Sequence, residues 1–459
     1  MIHPNLSSES VTVLRQRRQA LGDRLTNPVL LWSGGALSRN FPANVYPFRA
    51  SSHFLYFAGV SLPNAVIYLH QGQLTLLMDD APAADALWHG TAPTRCQIAA
   101  QIGATAYYPL AQLADLSHNT ATIPVQDPMT RHQQRQILGR SLGEAHELSP
   151  LDQTLAEVLI QLRLRQDAGA IAAIRQAVEV TIQAHRAGMA RTSQAQTEAQ
   201  IRVAMEGEIG AANMVPAYGS IVTVHGEVLH QPYSSGVLAP GDLLLADVGA
   251  EHPLGWASDV TRTWPVSGQW SPSQRAVYAV VLAAHDACIA QMAPGVEFRD
   301  LHLTAEKVMA EGLVDLKILK GDPVTLVERG AVALFFPHGV GHLLGLDVHD
   351  MEDLGDLAGY APGRTRCDRD GLRYLRLDRP LQPDMVVTIE PGFYQVPAIL
   401  QDPQRRARFA DCVDWDRLAD FQDVRGIRIE DDVQLTETGC MVLSAALPTR
   451  PEEIEACLY

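Results

Sequence analysis

Cysteine is scarce in this chain of 459 residues. The six present, Cys96, Cys288, Cys367, Cys412, Cys440 and Cys457, form no C-x-x-C pair and no dense framework, which excludes a disulfide scaffold and a cysteine-based zinc finger. Long apolar runs are also missing. No stretch of about 18 apolar residues is present to cross a bilayer, and residues 1–21 have no apolar core ahead of their arginines. A secretory signal is therefore not expected, and the expected location is cytoplasmic. Positive charge is the third shortage. With 36 Lys+Arg against 52 Asp+Glu, the formal net charge is -16, which argues against nonspecific binding to nucleic acid or to an anionic membrane. Any metal site must then be built from oxygen and imidazole.

What remains is a globular composition, 47% hydrophobic and 19% charged, long enough for about two or three domains at roughly 150 residues each. Residues 28–32, 65–70 and 74–78 read as buried strands, with Gln71-Gly72 as a turn between the last two. A helix is expected over 83–88, after Pro82, and the first part of the chain reads as a small α/β domain. From 149 to 189 the periodicity is helical with an interruption at Gly169, placing a junction at 165–170 and domains at 1–165 and 170–459. Beyond it come helices over 170–188, 192–212, 273–292 and 301–312, then strands over 386–393 and 426–435. This order gives the α+β class rather than a doubly wound sheet. Residues 350–378, rich in Gly, Asp and Arg, read as a long loop, and loops of that length are often functional.

The chemistry concentrates in three places. In LLLADVGAEHPLGWASDVTRTWPV, residues 243–266, Asp247 and Asp259 stand six residues either side of Pro253. A hairpin folded there makes them cross-strand neighbours, and like charges placed so are destabilising. A divalent cation removes that repulsion; a surface hairpin with two unrelated acids is the bland alternative. Glu390 ends the apolar run MVVTI, and alternation in GIRIEDD puts Glu430 on one face with Arg428. A salt bridge to Arg428 would satisfy these acids as well. In FFPHGVGHLLGLDVHD, residues 335–350, His338, His342 and His349 fall within twelve residues of one another, separated by glycines. This is not the helical H-E-x-x-H pattern, and Gly339-Val-Gly341 lacks the third glycine of a dinucleotide fingerprint. Asp247, Asp259, His342, Glu390 and Glu430 together carry too much negative charge for one ion and suit two divalent cations, Mn²⁺ first, with Co²⁺, Fe²⁺ or Zn²⁺ as alternatives. A water between two such ions is hydroxide near neutral pH and can attack an acyl group. No G-x-S-x-G elbow and no activated cysteine offers a different nucleophile.

These segments resemble the "pita-bread" metallopeptidases, the family of methionine aminopeptidase, aminopeptidase P and prolidase, and in particular its proline-specific branch. GDLLLADVGAEHPLGWASDVTRTWPV, FFPHGVGHLLGLDVHD, VVTIEPGFY and GIRIEDDV stand in the family's order over about 190 residues, and YPFRASSHFLYFAGV, residues 46–60, looks like the start of its noncatalytic domain. The resemblance implies a pita-bread catalytic domain behind a smaller N-terminal domain. It implies Asp247, Asp259, His342, Glu390 and Glu430 as metal ligands, with Asp259 and Glu430 bridging. Glu390 would shuttle the proton, and His230 in EVLHQPY and His349 in LDVHD would face the scissile bond. His338 would form the pocket wall and Arg428 would orient the groups behind the ligands. One departure is visible, since the Asp247 to Asp259 spacing is one residue longer than the family's usual hairpin.

The implied reaction is hydrolysis of the N-terminal Xaa-Pro bond by an Xaa-Pro aminopeptidase acting on peptides with proline second. SPSQRAVYAVVL, GLVDLKILKGD and PEEIEACL look like bacterial aminopeptidase P. GLRYLRLDRPLQPDM instead resembles the loop that in prolidases supplies an arginine, here Arg376, for a dipeptide's carboxylate, so an Xaa-Pro dipeptidase is the alternative. Trp88 would cap the substrate pocket, from a neighbouring subunit of a dimer or tetramer. A noncatalytic interaction module and a metal-independent hydrolase of the creatinase type are disfavoured, because all five ligand positions are filled.

Overall fold

The computed structural model describes residues 6–458 and divides into two compact units. The first runs to Leu164 and takes back Met351–Ala358, while the second comprises Arg165–Asp350 and the chain from Gly359 onward.

In the first unit, Val29–Trp32 pairs antiparallel with Val66–His70, which pairs antiparallel with Gln73–Leu77, and Ala106–Tyr108 adds in parallel. Leu30, Trp32, Val66 and Leu77 pack in one buried cluster on this sheet. The helix expected over 83–88 is a 3₁₀ turn, Ala83–Asp85, followed by a short helix, Ala86–His89. None of its residues is buried, so no packing extends it. The returning segment is tied down by His53, whose Nε2 lies 3.0 Å from Asp353 Oδ2 while its Nδ1 meets Arg163 Nη1 at 3.0 Å.

The helical stretch across the junction breaks at 164–167 and not at Gly169. Helix Pro150–Arg163 ends there, and Asp167 caps helix Ala168–Thr192 by accepting from the Ala170 N–H. Gly169 falls in the first turn of that helix, where an aspartate N-cap outweighs its low propensity. Ala173, Ile174, Ala177, Val178, Thr181 and Ile182 form the buried stripe of this helix at helical spacing, and helix Glu198–Ala211 packs against it.

Short antiparallel sheets build the rest of the second unit. Leu243–Asp247 lies between Ile221–Thr223 and Thr261–Pro265, and Asp431–Leu435 lies between Val386–Ile389 and Cys440–Val442. Gly392–Tyr394 pairs with Gly426–Arg428. The helices Pro272–Gln291 and Phe298–Asp315 pack against each other beside these strands. Helices and antiparallel sheets are thus segregated, which is the α+β class.

Candidate metal centre

The acids and the imidazole arrive at the ends of buried strands. Every residue of Leu243–Asp247 and of Thr261–Pro265 is buried, and the register pairs Asp247 with Thr261. The two aspartates are therefore diagonal neighbours and not directly opposite, because the turn closes one residue later than Pro253, with His252 N–H donating to Trp256 O at 2.8 Å. They meet all the same. Tyr218 Oη lies 2.5 Å from Asp247 Oδ1 and 2.6 Å from Asp259 Oδ1.

His342 is pinned from both sides by the strand that leads to Glu390. Its N–H donates to Thr388 Oγ1 at 3.1 Å, the Thr388 N–H donates back to its carbonyl at 3.0 Å, and Glu390 N–H donates to Val340 O at 2.8 Å. A β-carbon at Gly341 would lie 2.0 Å from Thr388 O, so glycine is what allows this approach. Glu430 is fixed by its N–H to Thr261 O, 3.1 Å, and by Thr261 Oγ1 donating to its Oε2 at 2.7 Å. Behind the acids, the Asp259 N–H donates to Asp432 Oδ2 at 3.1 Å.

Asp259, His342 and Glu430 each offer a ligand atom within 4.8 Å of the other two. His342 Nδ1 is 2.9 Å from Leu343 O. A carbonyl can only accept, so the ring proton sits on Nδ1 and the Nε2 lone pair is left facing the acids. Those acids are close, Asp259 Oδ2 at 3.3 Å, Glu390 Oε1 at 3.5 Å and Glu430 Oε1 at 4.0 Å. Burial, with added repulsion from its neighbours, pushes Glu390 up to about 8 and Glu430 well above the carboxylate range. Burial raises Asp247 and Asp259 too. A lone pair among crowded buried carboxylates repels them unless positive charge lies between. The donor set, hard oxygens with one imidazole, fits divalent cations.

The remaining expected residues, Trp88 excepted, line one cleft with these acids and His342. His230, His338, His349, Arg376 and Arg428 share it with Leu229 and Gly339. His349 packs edge-on against His342 with ring centroids 4.3 Å apart, and its backbone takes the left-handed region at φ 60°, a strained conformation for a non-glycine residue. Arg428 donates to Asp247 Oδ2 at 2.5 Å, Tyr394 Oη at 3.0 Å and Thr261 Oγ1 at 3.0 Å. Its guanidinium is thus directed at the protein groups that hold the acids. His338 is held by Gly339 O and by Tyr394 Oη, each at 2.8 Å, and burial pushes it down to about 3. Trp88 lies in the first unit, 78% exposed.

Sequence reasoning missed Tyr218, Tyr394, Thr261, Thr388 and Asp432. Asp432 alone left a signal, as the second acid after Glu430 in the same strand pattern; the others are ordinary strand or loop residues whose partners are remote in sequence.

The model for "Metallopeptidase family M24" matches residues 172–437, and that for "Aminopeptidase P, N-terminal domain" matches residues 14–123. The chain is 30% identical to the Xaa-Pro aminopeptidase of Escherichia coli K12, with 99% of each chain covered. It is 29% identical to the human Xaa-Pro dipeptidase, with 96% of this chain and 92% of that one covered. Among solved structures, the aminopeptidase PepP of Pseudomonas aeruginosa superposes with a TM-score of 0.80 at 28% identity, covering 98% of both chains. A zinc-substituted E. coli aminopeptidase P in complex with product gives 0.80 at 27%, covering 98% of this chain and 99% of that one.

Proposed function

The chain belongs to metallopeptidase family M24, and from that premise we propose that it is an Xaa-Pro aminopeptidase, removing the first residue from peptides with proline in second place. The observation that carries the reading is a single cleft that gathers one imidazole and four carboxylates, three of them buried and Glu390 partly so. The match to the aminopeptidase P N-terminal domain supports the aminopeptidase over other members of the family.

Asp247, Asp259, His342, Glu390 and Glu430 would hold two divalent cations, Mn²⁺ by preference. When bound, such a pair supplies Lewis-acid activation of a water nucleophile and of the scissile carbonyl. The chain's own groups do the rest. Glu390 takes the proton of the attacking water and delivers it to the departing prolyl nitrogen. His230 and His349 face the scissile bond and donate to oxygen as charge develops there. His338 shapes the wall, and Arg428 keeps Asp247 in place. Arg376 receives the carboxylate of a substrate that ends at the proline. Trp88, exposed on the first unit, would cap the cleft of a second copy in a homo-oligomer, and the enzyme would act in the cytoplasm.

Arg376 in the cleft wall favours the second reading, an Xaa-Pro dipeptidase. Hydrolysis of an Xaa-Pro dipeptide and of an Xaa-Pro-Yaa tripeptide, compared with Mn²⁺ added, separates the two. An aminopeptidase cleaves the tripeptide at least as well, whereas strong preference for the dipeptide overturns that assignment. With the dipeptide, Arg376→Ala is then expected to raise KM by about tenfold, the loss of a charge-assisted pair.

A further inference from the structure

One buried acid has no place in this chemistry. Glu306, on the helix Phe298–Asp315, is completely buried, and His302 one turn earlier brings its Nε2 to 3.8 Å from Glu306 Oε1. Burial pushes the Glu306 carboxyl up to about 7, with Arg369 pulling the other way. Arg369 Nη2 donates to Glu306 Oε2 at 3.2 Å. Two residues on, a β-carbon at Gly371 would lie 2.2 Å from Glu306 Oε1, so the main chain runs directly over the carboxylate.

From there the chain folds into an arch that ends at the cleft. Leu372 and Arg373 donate to Arg369 O, and Leu375 donates to Leu372 O, each at 3.0 Å. Tyr374 O and Leu375 Cα would both stand 3.1 Å from a β-carbon at Gly339, so the arch is pressed against the backbone beside His338. Arg376 follows at once and lines the cleft. On the other side of Glu306, the His302 ring lies 5.3 Å from Phe336, and Phe336 meets His338 edge-on at 4.9 Å. Two walls of the cleft, His338 and Arg376, therefore rest on the same buried acid.

A carboxylate deprived of water needs a cation, and the energy it gains is lost if that cation moves. An apolar contact would let the arch slide; this pair does not. We propose that Glu306 is a positioning residue, which by holding Arg369 fixes the 369–376 arch against Gly339 and so sets where Arg376 stands over the cleft. The proposal rests on the reading that Arg376 meets a substrate carboxylate.

The test uses the Mn²⁺-loaded enzyme at pH 8, where Glu306 is ionised. Glu306→Gln, Arg369→Ala and Arg376→Ala are compared on an Xaa-Pro dipeptide and on its C-terminal amide, together with amide hydrogen exchange over 371–376. Glu306→Gln keeps the shape of the side chain, and Arg369→Ala removes the latch from its partly exposed side without touching the core. Both are expected to speed exchange in the arch at least tenfold, and to raise KM for the dipeptide about tenfold with kcat within twofold and the amide unaffected. Combining Glu306→Gln with Arg376→Ala is expected to add nothing to the KM of Arg376→Ala alone. Unchanged exchange in both single variants overturns the proposal. So does faster exchange with equal effects on dipeptide and amide, the result of a structural role only. If Arg376→Ala itself fails to distinguish the two substrates, the carboxylate reading of Arg376 is what has failed, and the exchange data alone decide whether Glu306 fixes the arch.

Discussion

Nε2 of His342 faces Oδ2 of Asp259 across 3.3 Å. The imidazole proton is committed to the Leu343 carbonyl on the far side of the ring, so an ionised Asp259 would meet the Nε2 lone pair and be repelled by it. A cation placed between the two converts this repulsion into two bonds. Asp259→Asn keeps the shape and removes one charge. Activity with Mn²⁺ is expected to fall by roughly 10³-fold or more, given the several kcal/mol that a catalytic cation supplies. Metal analysis should show loss of bound ion, while the chelated variant melts at or above the temperature of the chelated parent. An active, metal-loaded variant would sink the assignment.

Removing the metal should leave its mark on the pH dependence of stability. Glu390 moves from an ordinary 4.5 to about 8, and Glu430, Asp247 and Asp259 move in the same direction. An acid that holds its proton more tightly when folded stabilises the fold below its ordinary value, and that stability is lost as the pH rises through the folded value. Melting temperature in chelator is therefore expected to drop steadily from pH 5 to pH 9. With Mn²⁺ present the slope should be much reduced, because the ions and not protons balance the acids. Parallel curves with and without metal would contradict this account.

Tyr394 links two cleft residues. Its hydroxyl accepts from Arg428 and donates to His338 Nε2, the nitrogen left bare because Nδ1 faces Gly339 O. Tyr394→Phe deletes both bonds at the cost of one oxygen atom. Stability is expected to fall by about 1–3 kcal/mol, the penalty for buried partners left unsatisfied. In steady-state assays kcat should drop about tenfold with KM little changed, since the hydroxyl positions groups and does not bind substrate; a pure KM effect would assign it a binding role instead.

Arg262 carries a different load. Completely buried, it donates to Asp431 Oδ1 at 2.7 Å, to Glu430 O at 2.6 Å and to Pro448 O at 2.9 Å, and with His285 it holds the Asp431 carboxyl far below its usual range despite burial. Arg262→Met leaves Asp431 buried with His285 as its remaining charged neighbour. The expected cost in urea denaturation is about 3–5 kcal/mol, and a loss under 1 kcal/mol would show that the pair matters little.

The acids of the cleft were legible in the sequence for a physical reason. A carboxylate ending an apolar strand, as Asp247 and Glu390 do, is costly enough to demand an explanation wherever the strand pairs. The hairpin register was not legible, because one added turn residue moves the centre from Pro253 to Leu254 without altering any pattern of apolar residues. The helix breaks ahead of Gly169 because capping outweighs propensity there, and Asp167 is the stronger signal. Tyr218, Tyr394 and Glu306 stayed hidden for another reason. The hydrogen bonds that hold them reach partners between 29 and 63 positions away, and no local periodicity records such pairings.

The return of Met351–Ala358 to the first unit has a practical meaning for anyone wishing to divide the molecule. A cut of the gene after residue 164 would leave the second fragment carrying Asp353 without His53 and Arg163, two residues downstream of the strained backbone of Met351 and four from His349. The two units are thus interleaved in sequence. Exchange of either one between related enzymes would have to carry an eight-residue insert along with it.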